Sequence, residues 1–241
     1  MFVLPINRDR DVANTPRAVL VLIAINTLVF IATALSSNST AIVRQYGFTP
    51  AHAQLLTLFT SMFLHGGWLH LLGNMFFLWM FGKDVENSLG VWLFTLVYLL
   101  CGLGGGLLHF VFNLRSTVPC VGASGAISGI MGCFFILFPK AEFDLVFYIG
   151  WFRIKEIQTR TPAAVGAWIG EQALLGLLSQ AVRISSVAFW AHVGGFVVGL
   201  AAGLCFKRLI QLDSEGVPVT RPWFIPEQRY KERDDITQLK L

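Results

Sequence analysis

Long runs of apolar residues are the feature that most restricts how this chain can fold. Hydrophobic residues occupy 55% of the 241 positions and charged residues only 13%, whereas a soluble domain usually carries about 25% charge. Such runs suit helices that cross a bilayer, where the backbone polar groups must be satisfied within the helix. The sequence therefore predicts an all-α, polytopic membrane protein. Its six predicted transmembrane helices cover residues 17–35, 69–82, 91–112, 123–138, 162–181 and 187–206.

The basic residues predict the orientation of these helices. If both termini lie on one side of the membrane, fifteen Lys and Arg residues share that side and three lie opposite. Positive residues collect on the cytoplasmic side, so the net charge of +4 reports topology and does not indicate nucleic-acid binding. We expect a cytoplasmic N-terminal tail (1–16), a six-helix domain (17–206) and a polar cytoplasmic C-terminal tail (207–241). The short tails without a targeting segment suggest a bacterial inner membrane.

Ser124 stands in the run VPCVGASGAISG, where a loop is predicted to become the fourth helix. From Ser124 to Pro139 this helix spans only about 22 Å at ~1.5 Å per residue, which is less than the ~30 Å bilayer core. The helix must therefore begin below the outer surface. Non-helical backbone at that depth is tolerated only when protein covers it or when it lines a wet cavity. We expect Ser124 to lie in a pit that water can reach.

His192 is predicted to enter the sixth helix from the same outer side. His192, Gly195, Gly199 and Gly203 share one face of that helix, and the fourth helix carries a matching small face formed by Ser124, Ser128 and Gly132. Small faces let membrane helices approach closely. Close approach at equal depth would bring the serine oxygen within reach of the imidazole, as a nucleophile and its general base require. The alternative is that the glycines only pack helices and that Ser124 is a helix cap.

A third polar group is predicted at the same depth. His70 and Asn74 are four residues apart on one face of the second helix, at its outer end. Together with the free N–H groups at the start of the fourth helix, they could hold the oxyanion of an acyl-transfer intermediate. They could equally tie helices together through hydrogen bonds.

Other polar residues receive weaker assignments. His65 is expected to order its loop, while His52 and His109 are expected to be structural. Glu171 is an intramembrane acid and so a functional candidate by default, but the sequence offers it no partner. No acidic residue is expected to join Ser124 and His192, so a dyad is predicted.

Three segments together carry a family resemblance: SMFLHGGWLHLLGNMFFLWMFG, VGASGAISG and AHVGGFVVGL, in this order on alternate predicted helices. Over about residues 49–206 the chain resembles the rhomboid family of intramembrane serine proteases. The resemblance implies a six-helix bundle in which Ser124 is the nucleophile and His192 the base. It also implies an oxyanion site formed by His70, Asn74 and the Ser124 amide, with Gly122 shaping the loop beside it.

The resemblance further implies partners. Family substrates are membrane spans of other proteins, cleaved near the outer surface where small or helix-breaking residues loosen the helix, with access beside the fifth helix. The partners are thus such spans and the lipid bilayer, with no cofactor, no metal and no nucleic acid. Two departures from the family are visible. Ser128 stands where some members have a tyrosine that stacks on the histidine, and the first outer loop lacks an evident Trp-Arg pair.

Two functions other than proteolysis also fit parts of the sequence. An interrupted short helix with buried polar residues also fits a transporter or channel, although inverted repeats are not apparent and the midplane lacks a polar cluster. A haem or metal site would have to use His65, His70, His109 and His192, of which only His70 and His192 are predicted to converge.

Overall fold

The computed structural model describes residues 2–7, 15–149, 152–182 and 188–209. Two short 3₁₀ turns, Pro50–His52 and Ser61–Phe63, lie between the first two predicted spans. The helices in these ranges are α1 (Arg17–Leu35), α2 (Ser39–Tyr46), α3 (Leu55–Thr60), α4 (Trp68–Leu89), α5 (Val91–Phe112), α6 (Ser124–Leu137), α7 (Thr161–Val182) and α8 (Phe189–Leu209). The strands are β1 (Phe2–Asn7), β2 (Glu142–Ile149) and β3 (Phe152–Arg160).

Each of the six predicted spans coincides with a helix, and several are suited to a bilayer. Within the described ranges α1, α5 and the α8 segment Phe189–Lys207 are long and apolar enough to cross it alone. Leu55–Phe63 and Trp68–Leu89, bent by 89°, form a fourth candidate if the pair is one span. Large apolar side chains such as Leu28 and Leu107 are exposed on the helices, as expected where lipid replaces water. The chain is a membrane protein, while the count of six spans stays a prediction.

A small sheet corrects the all-α prediction. β1, β2 and β3 pair antiparallel in that order, with Phe2 opposite Tyr148 and Glu142 opposite Arg160. The N-terminal segment is thus a strand over part of its length, and residues 8–14 of the predicted tail lie outside the described ranges. Residues 210–241 of the predicted C-terminal tail lie outside them as well. The aromatic and β-branched residues of β2 favour an extended chain.

The sheet is joined to the helices by an aromatic cluster. Phe143 on β2 is fully buried, with its ring centroid 5.7 Å from that of Phe81 on α4 and 5.9 Å from that of Phe134 on α6. Such aromatic pairs add to the stabilisation that burial of their area provides. Strand β2 is therefore anchored to α4 and α6.

The short helix α6 lies at the centre of the bundle, and residues 125–134 are all buried. Its glycine face meets that of α8 backbone to backbone. A Cβ on Gly195 would overlap the Gly125 carbonyl oxygen, and one on Gly199 would overlap the Gly129 carbonyl oxygen. The predicted small face of α8 therefore meets α6, but on α6 the closest contacts are made by Gly125 and Gly129, which were not part of the predicted face. Of that predicted face, Gly132 also packs against α8, since an added Cβ would overlap the Phe196 carbonyl oxygen.

Glu86 fixes the start of α1 against α4. Its carboxylate is buried and accepts hydrogen bonds from the backbone N–H groups of Ala18 (3.0 Å) and Val19 (2.9 Å). These N–H groups lie in the first turn of α1, where they lack helical partners and where the helix dipole favours a negative charge. One carboxylate therefore both caps α1 and ties it to α4.

Candidate active site

Ser124 is the first residue of α6, and the chain that delivers it is non-helical. Phe48 and Cys120 exchange backbone hydrogen bonds of 3.0 and 2.8 Å, and the Gly122 N–H donates to the Ser61 carbonyl at 2.9 Å. Gly122 has a φ of 130°, in the region that glycine adopts without strain. The helix is 14 residues long, so the predicted short fourth helix with an irregular approach is confirmed.

His192 lies in the first turn of α8, opposite Ser124. The imidazole Nε2 is 2.9 Å from the Ser124 Oγ. This distance lies within the range of a good O–H···N hydrogen bond, and it follows from the close glycine contact between α6 and α8 below it. The predicted approach of the two side chains is confirmed by this distance, while their depth in the bilayer stays a prediction.

Three side chains hold His192 in place. The Oε1 of Gln172 on α7 accepts a hydrogen bond of 2.7 Å from His192 Nδ1–H. The Ser128 hydroxyl donates a hydrogen bond of 2.6 Å to the backbone carbonyl of His192. The centroid of the Trp168 ring lies 5.9 Å from that of the imidazole, and the two rings are tilted by 34°. Because an amide oxygen can only accept, Nδ1 carries the proton of a neutral ring, and Nε2 is left to accept the Ser124 hydroxyl.

Gln172 is the residue that the sequence analysis missed. The sequence indicates the neighbouring acid Glu171 instead. In the structure the Glu171 side chain is exposed, whereas Gln172 is buried. A signal was present, because Trp168 and Gln172 stand four residues apart and so share a helix face. A polar side chain beside a tryptophan in an apolar helix indicates a face turned toward the protein.

His70 and Asn74 lie beside this pair on α4. The Gly66 N–H donates to His70 Nδ1 at 3.3 Å, so the neutral ring carries its proton on Nε2 as a free donor. An added Cβ on Gly122 would stand 2.7 Å from that Nε2. One amide hydrogen of Asn74 is donated to the His70 backbone carbonyl at 2.7 Å, which leaves the second for another acceptor.

Two cavities meet at these residues. A cavity of about 410 Å³ is lined by Ser124, His192 and His70 together with the polar His109, Asn113 and Ser116. A second, of about 240 Å³, is lined by the same three residues and Asn74, and otherwise mainly by apolar side chains from α4, α6 and α7, namely Leu69, Phe77, Ile127, Met131 and Trp168. The Ser124 hydroxyl is thus open on one side to the larger cavity, whose lining mixes polar and apolar residues and which is called the polar cavity below, and on the other side to the apolar cavity.

The remaining candidates lie around this centre. His65 is buried and its ring meets that of His70 edge-on at 5.2 Å, His109 pairs with Asn113 in the polar cavity, and His52 is exposed. Among the described residues no three of His, Cys, Asp and Glu come together as a metal site. Burial raises the pKa of the Cys120 thiol to about 11, so at neutral pH it is not a competing nucleophile in the cavity.

Comparison with known proteins shows the family of this chain. Residues 52–209 match the family described as "Rhomboid domain". The chain belongs to the rhomboid family. This membership makes it a polytopic membrane protein, and the resemblance drawn from the three sequence segments is confirmed.

Several curated proteins resemble this rhomboid. "Rhomboid-type serine protease 2" of Emericella nidulans is 33% identical over 73% of the chain and 32% of its own length. "Rhomboid protein 1, mitochondrial" of Saccharomyces cerevisiae is 29% identical over 65% of the chain and 43% of its own length. "Rhomboid-like protein 11, chloroplastic" of Arabidopsis thaliana is 32% identical over 58% of the chain and 49% of its own length. The chain thus spans between a third and a half of these relatives.

Proposed function

We propose that this rhomboid is a serine endopeptidase that cleaves transmembrane segments of other membrane proteins, using Ser124 and His192 near the outer face of the bilayer. The observation that carries the proposal is the hydrogen bond of 2.9 Å between Ser124 Oγ and His192 Nε2. A nucleophile needs an adjacent base in the correct protonation state, and the proton on Nδ1 leaves Nε2 free to act as that base. The name of the Emericella nidulans relative agrees with this reaction class.

The proposed reaction is acyl transfer to Ser124 followed by hydrolysis. Ser124 Oγ attacks a peptide carbonyl while His192 Nε2 takes the hydroxyl proton, and the imidazolium then gives this proton to the leaving amine. Water from the polar cavity, activated by the same Nε2, hydrolyses the acyl-enzyme and releases the new carboxyl terminus. The charge on the tetrahedral oxygen is stabilised by His70 Nε2–H, the free Asn74 amide hydrogen and the Ser124 backbone N–H, with Gly122 keeping the space open.

The apolar cavity indicates the class of substrate. It lies between α4 and α7, where Leu69, Phe77 and Trp168 offer apolar contacts directly beside the nucleophile. A membrane span suits such walls, but its peptide bond reaches Ser124 only after the helix has locally opened, because helical carbonyls are engaged in their own hydrogen bonds. We therefore propose spans with helix-destabilising small residues as substrates, approaching beside α7.

The proposed topology has six spans with both termini in the cytoplasm, in a bacterial inner membrane. The distribution of Lys and Arg supports the orientation. Two of the relatives are named for mitochondria and chloroplasts, and those locations are stated for those proteins. The proposed bounds stay 1–16 and 207–241 for the tails and 17–206 for the membrane domain.

Reconstituted protein in liposomes tests this function. Single-span substrates that carry Gly, Ala or Pro near the outer end of the span are incubated beside an all-leucine span, and the products are located by mass spectrometry. We expect cleavage within the destabilised spans, loss of cleavage in Ser124→Ala and His192→Ala, and full cleavage in the control His52→Ala, whose histidine is exposed. Equal cleavage by Ser124→Ala and the unmodified protein would overturn the proposal.

A further inference from the structure

A buried amide contacts the imidazole of His192 from the side opposite to Ser124. Gln172 is 8% exposed, and its Oε1 lies 2.7 Å from His192 Nδ1. Its neighbour on α7, Glu171, is exposed. Burying a polar side chain costs free energy unless it is hydrogen-bonded, and His192 is the partner that the structure gives to Gln172.

This hydrogen bond decides which imidazole nitrogen carries the proton. A neutral imidazole has one N–H and one lone pair. With Nδ1–H donated to Gln172, the lone pair is on Nε2, facing the Ser124 hydroxyl. The other tautomer would place N–H against the hydroxyl oxygen and an unpaired lone pair against the amide oxygen, and it could not act as a base toward Ser124.

None of the other contacts described for His192 provides an acceptor for Nδ1–H. Ser128 bonds the backbone carbonyl of His192 and therefore restrains the main chain. Trp168 approaches the imidazole ring at 5.9 Å but offers no acceptor to Nδ1 in that contact. The titratable side chains that share the polar cavity with His192 are His70 from α4, His109 from α5 and Cys120 from the segment before α6, and none of them is a carboxylate.

We propose that Gln172 is a positioning residue that completes a hydrogen-bonded chain formed by Ser124, His192 and Gln172. It fixes the Nε2 lone pair toward Ser124, holds the plane of the ring and turns its amide dipole toward the imidazolium formed during the reaction. Gln172 takes the place that an acidic residue occupies in a serine protease triad, but its side chain is a neutral amide. The proposal rests on the proposed protease function and deepens it.

The test compares variants at position 172 by the rate at which a fluorophosphonate reacts with Ser124, from about pH 5 to about pH 9. Gln172→Leu removes the acceptor and leaves Nδ1–H unpaired, so we expect a rate roughly 10- to 100-fold lower. Gln172→Glu restores an acceptor and adds negative charge. We expect it to recover most of the rate and to move the acid limb of the profile to higher pH, because a carboxylate favours the imidazolium.

The matched control is Glu171→Gln, at the exposed neighbouring position, which should keep the unmodified rate and profile. A role limited to packing α7 against α8 would slow Gln172→Leu and Gln172→Glu alike without moving the pH profile, and that result would overturn the proposal. An unchanged rate in Gln172→Leu would overturn it as well.

A spectroscopic measurement keeps the proposal testable if a variant fails to fold. In ¹⁵N NMR of histidine-labelled protein in lipid, with His192 assigned by comparison with His192→Ala, the unprotonated nitrogen should be Nε2. An unprotonated Nδ1 would contradict the proposed role of Gln172. If the unmodified protein reacts with the fluorophosphonate no faster than Ser124→Ala does, the protease function is contradicted, and the role of Gln172 with it. If only the position-172 results fail, the protease function stands.

Discussion

The contact between α6 and α8 makes Gly199 a position where a single methyl group should separate the nucleophile from its base. A Cβ added to Gly199 would overlap the Gly129 carbonyl and would lie 2.7 Å from the Gly129 Cα. Carbon atoms in contact normally stand about 3.5–4.0 Å apart. Because the obstacle is backbone, no side-chain rotation relieves it, and the two helices must move apart by at least about 1 Å.

The same movement reaches the proposed dyad two turns above. The Ser124–His192 distance of 2.9 Å would grow beyond hydrogen-bond range, and a misplacement of about 1 Å can lower a rate about 100-fold. Overpacking of this kind also costs roughly 1–3 kcal/mol of stability. We therefore expect Gly199→Ala to react about 100-fold more slowly at Ser124 and to unfold at a lower temperature.

The assay combines thermal unfolding in detergent with the rate of fluorophosphonate labelling at Ser124. The matched control is Gly170→Ala on α7, where an added Cβ would meet no atom within 4 Å; it should leave both quantities near those of the unmodified protein. If Gly199→Ala matches that control in both measurements, the close α6–α8 contact does not set the Ser124–His192 distance, and the reasoning is refuted.

Two further substitutions test other parts of the structure. Glu86→Ala leaves two N–H groups of the first turn of α1 without their acceptor, so the free energy of unfolding should fall by on the order of 3 kcal/mol; an unchanged denaturation midpoint would contradict this role of Glu86. In Gly122→Ala the added methyl group would lie 2.7 Å from His70 Nε2, and the residue would have to keep a φ of 130°. This variant should slow the labelling of Ser124 at least about 10-fold, since removal of one oxyanion donor costs about 100-fold or more. Gly67→Ala, where an added Cβ meets no atom within 4 Å, is its control, and equal rates in the two variants would argue against Gly122 as part of the oxyanion site.

The sequence was sufficient for the features that are periodic along the chain. Apolar runs located the six longest helices but not α2 and α3, and the spacing of small residues on the fourth and sixth predicted spans indicated that Ser124 and His192 meet. This succeeds because a membrane aligns helices along one axis, so that position along a helix converts directly into depth.

Two features depended on information that such patterns lack. The sheet requires β1 to pair with β2 across about 140 residues, as between Phe2 and Tyr148, and local strand preference does not predict such a partner. The choice between Glu171 and Gln172 depends on how α7 is rotated about its own axis. That rotation is set by contacts with neighbouring helices such as Trp168 with His192, and a helix with apolar residues on all sides gives little indication of it.

The most direct test of the central claim is to map where a fluorophosphonate attaches to the protein in lipid. We expect one adduct per chain, on Ser124. Ser124→Ala should abolish its formation and His192→Ala should slow it strongly, because the hydroxyl then lacks the base that lies 2.9 Å away. An adduct on another residue, or labelling of His192→Ala at the unmodified rate, would contradict it.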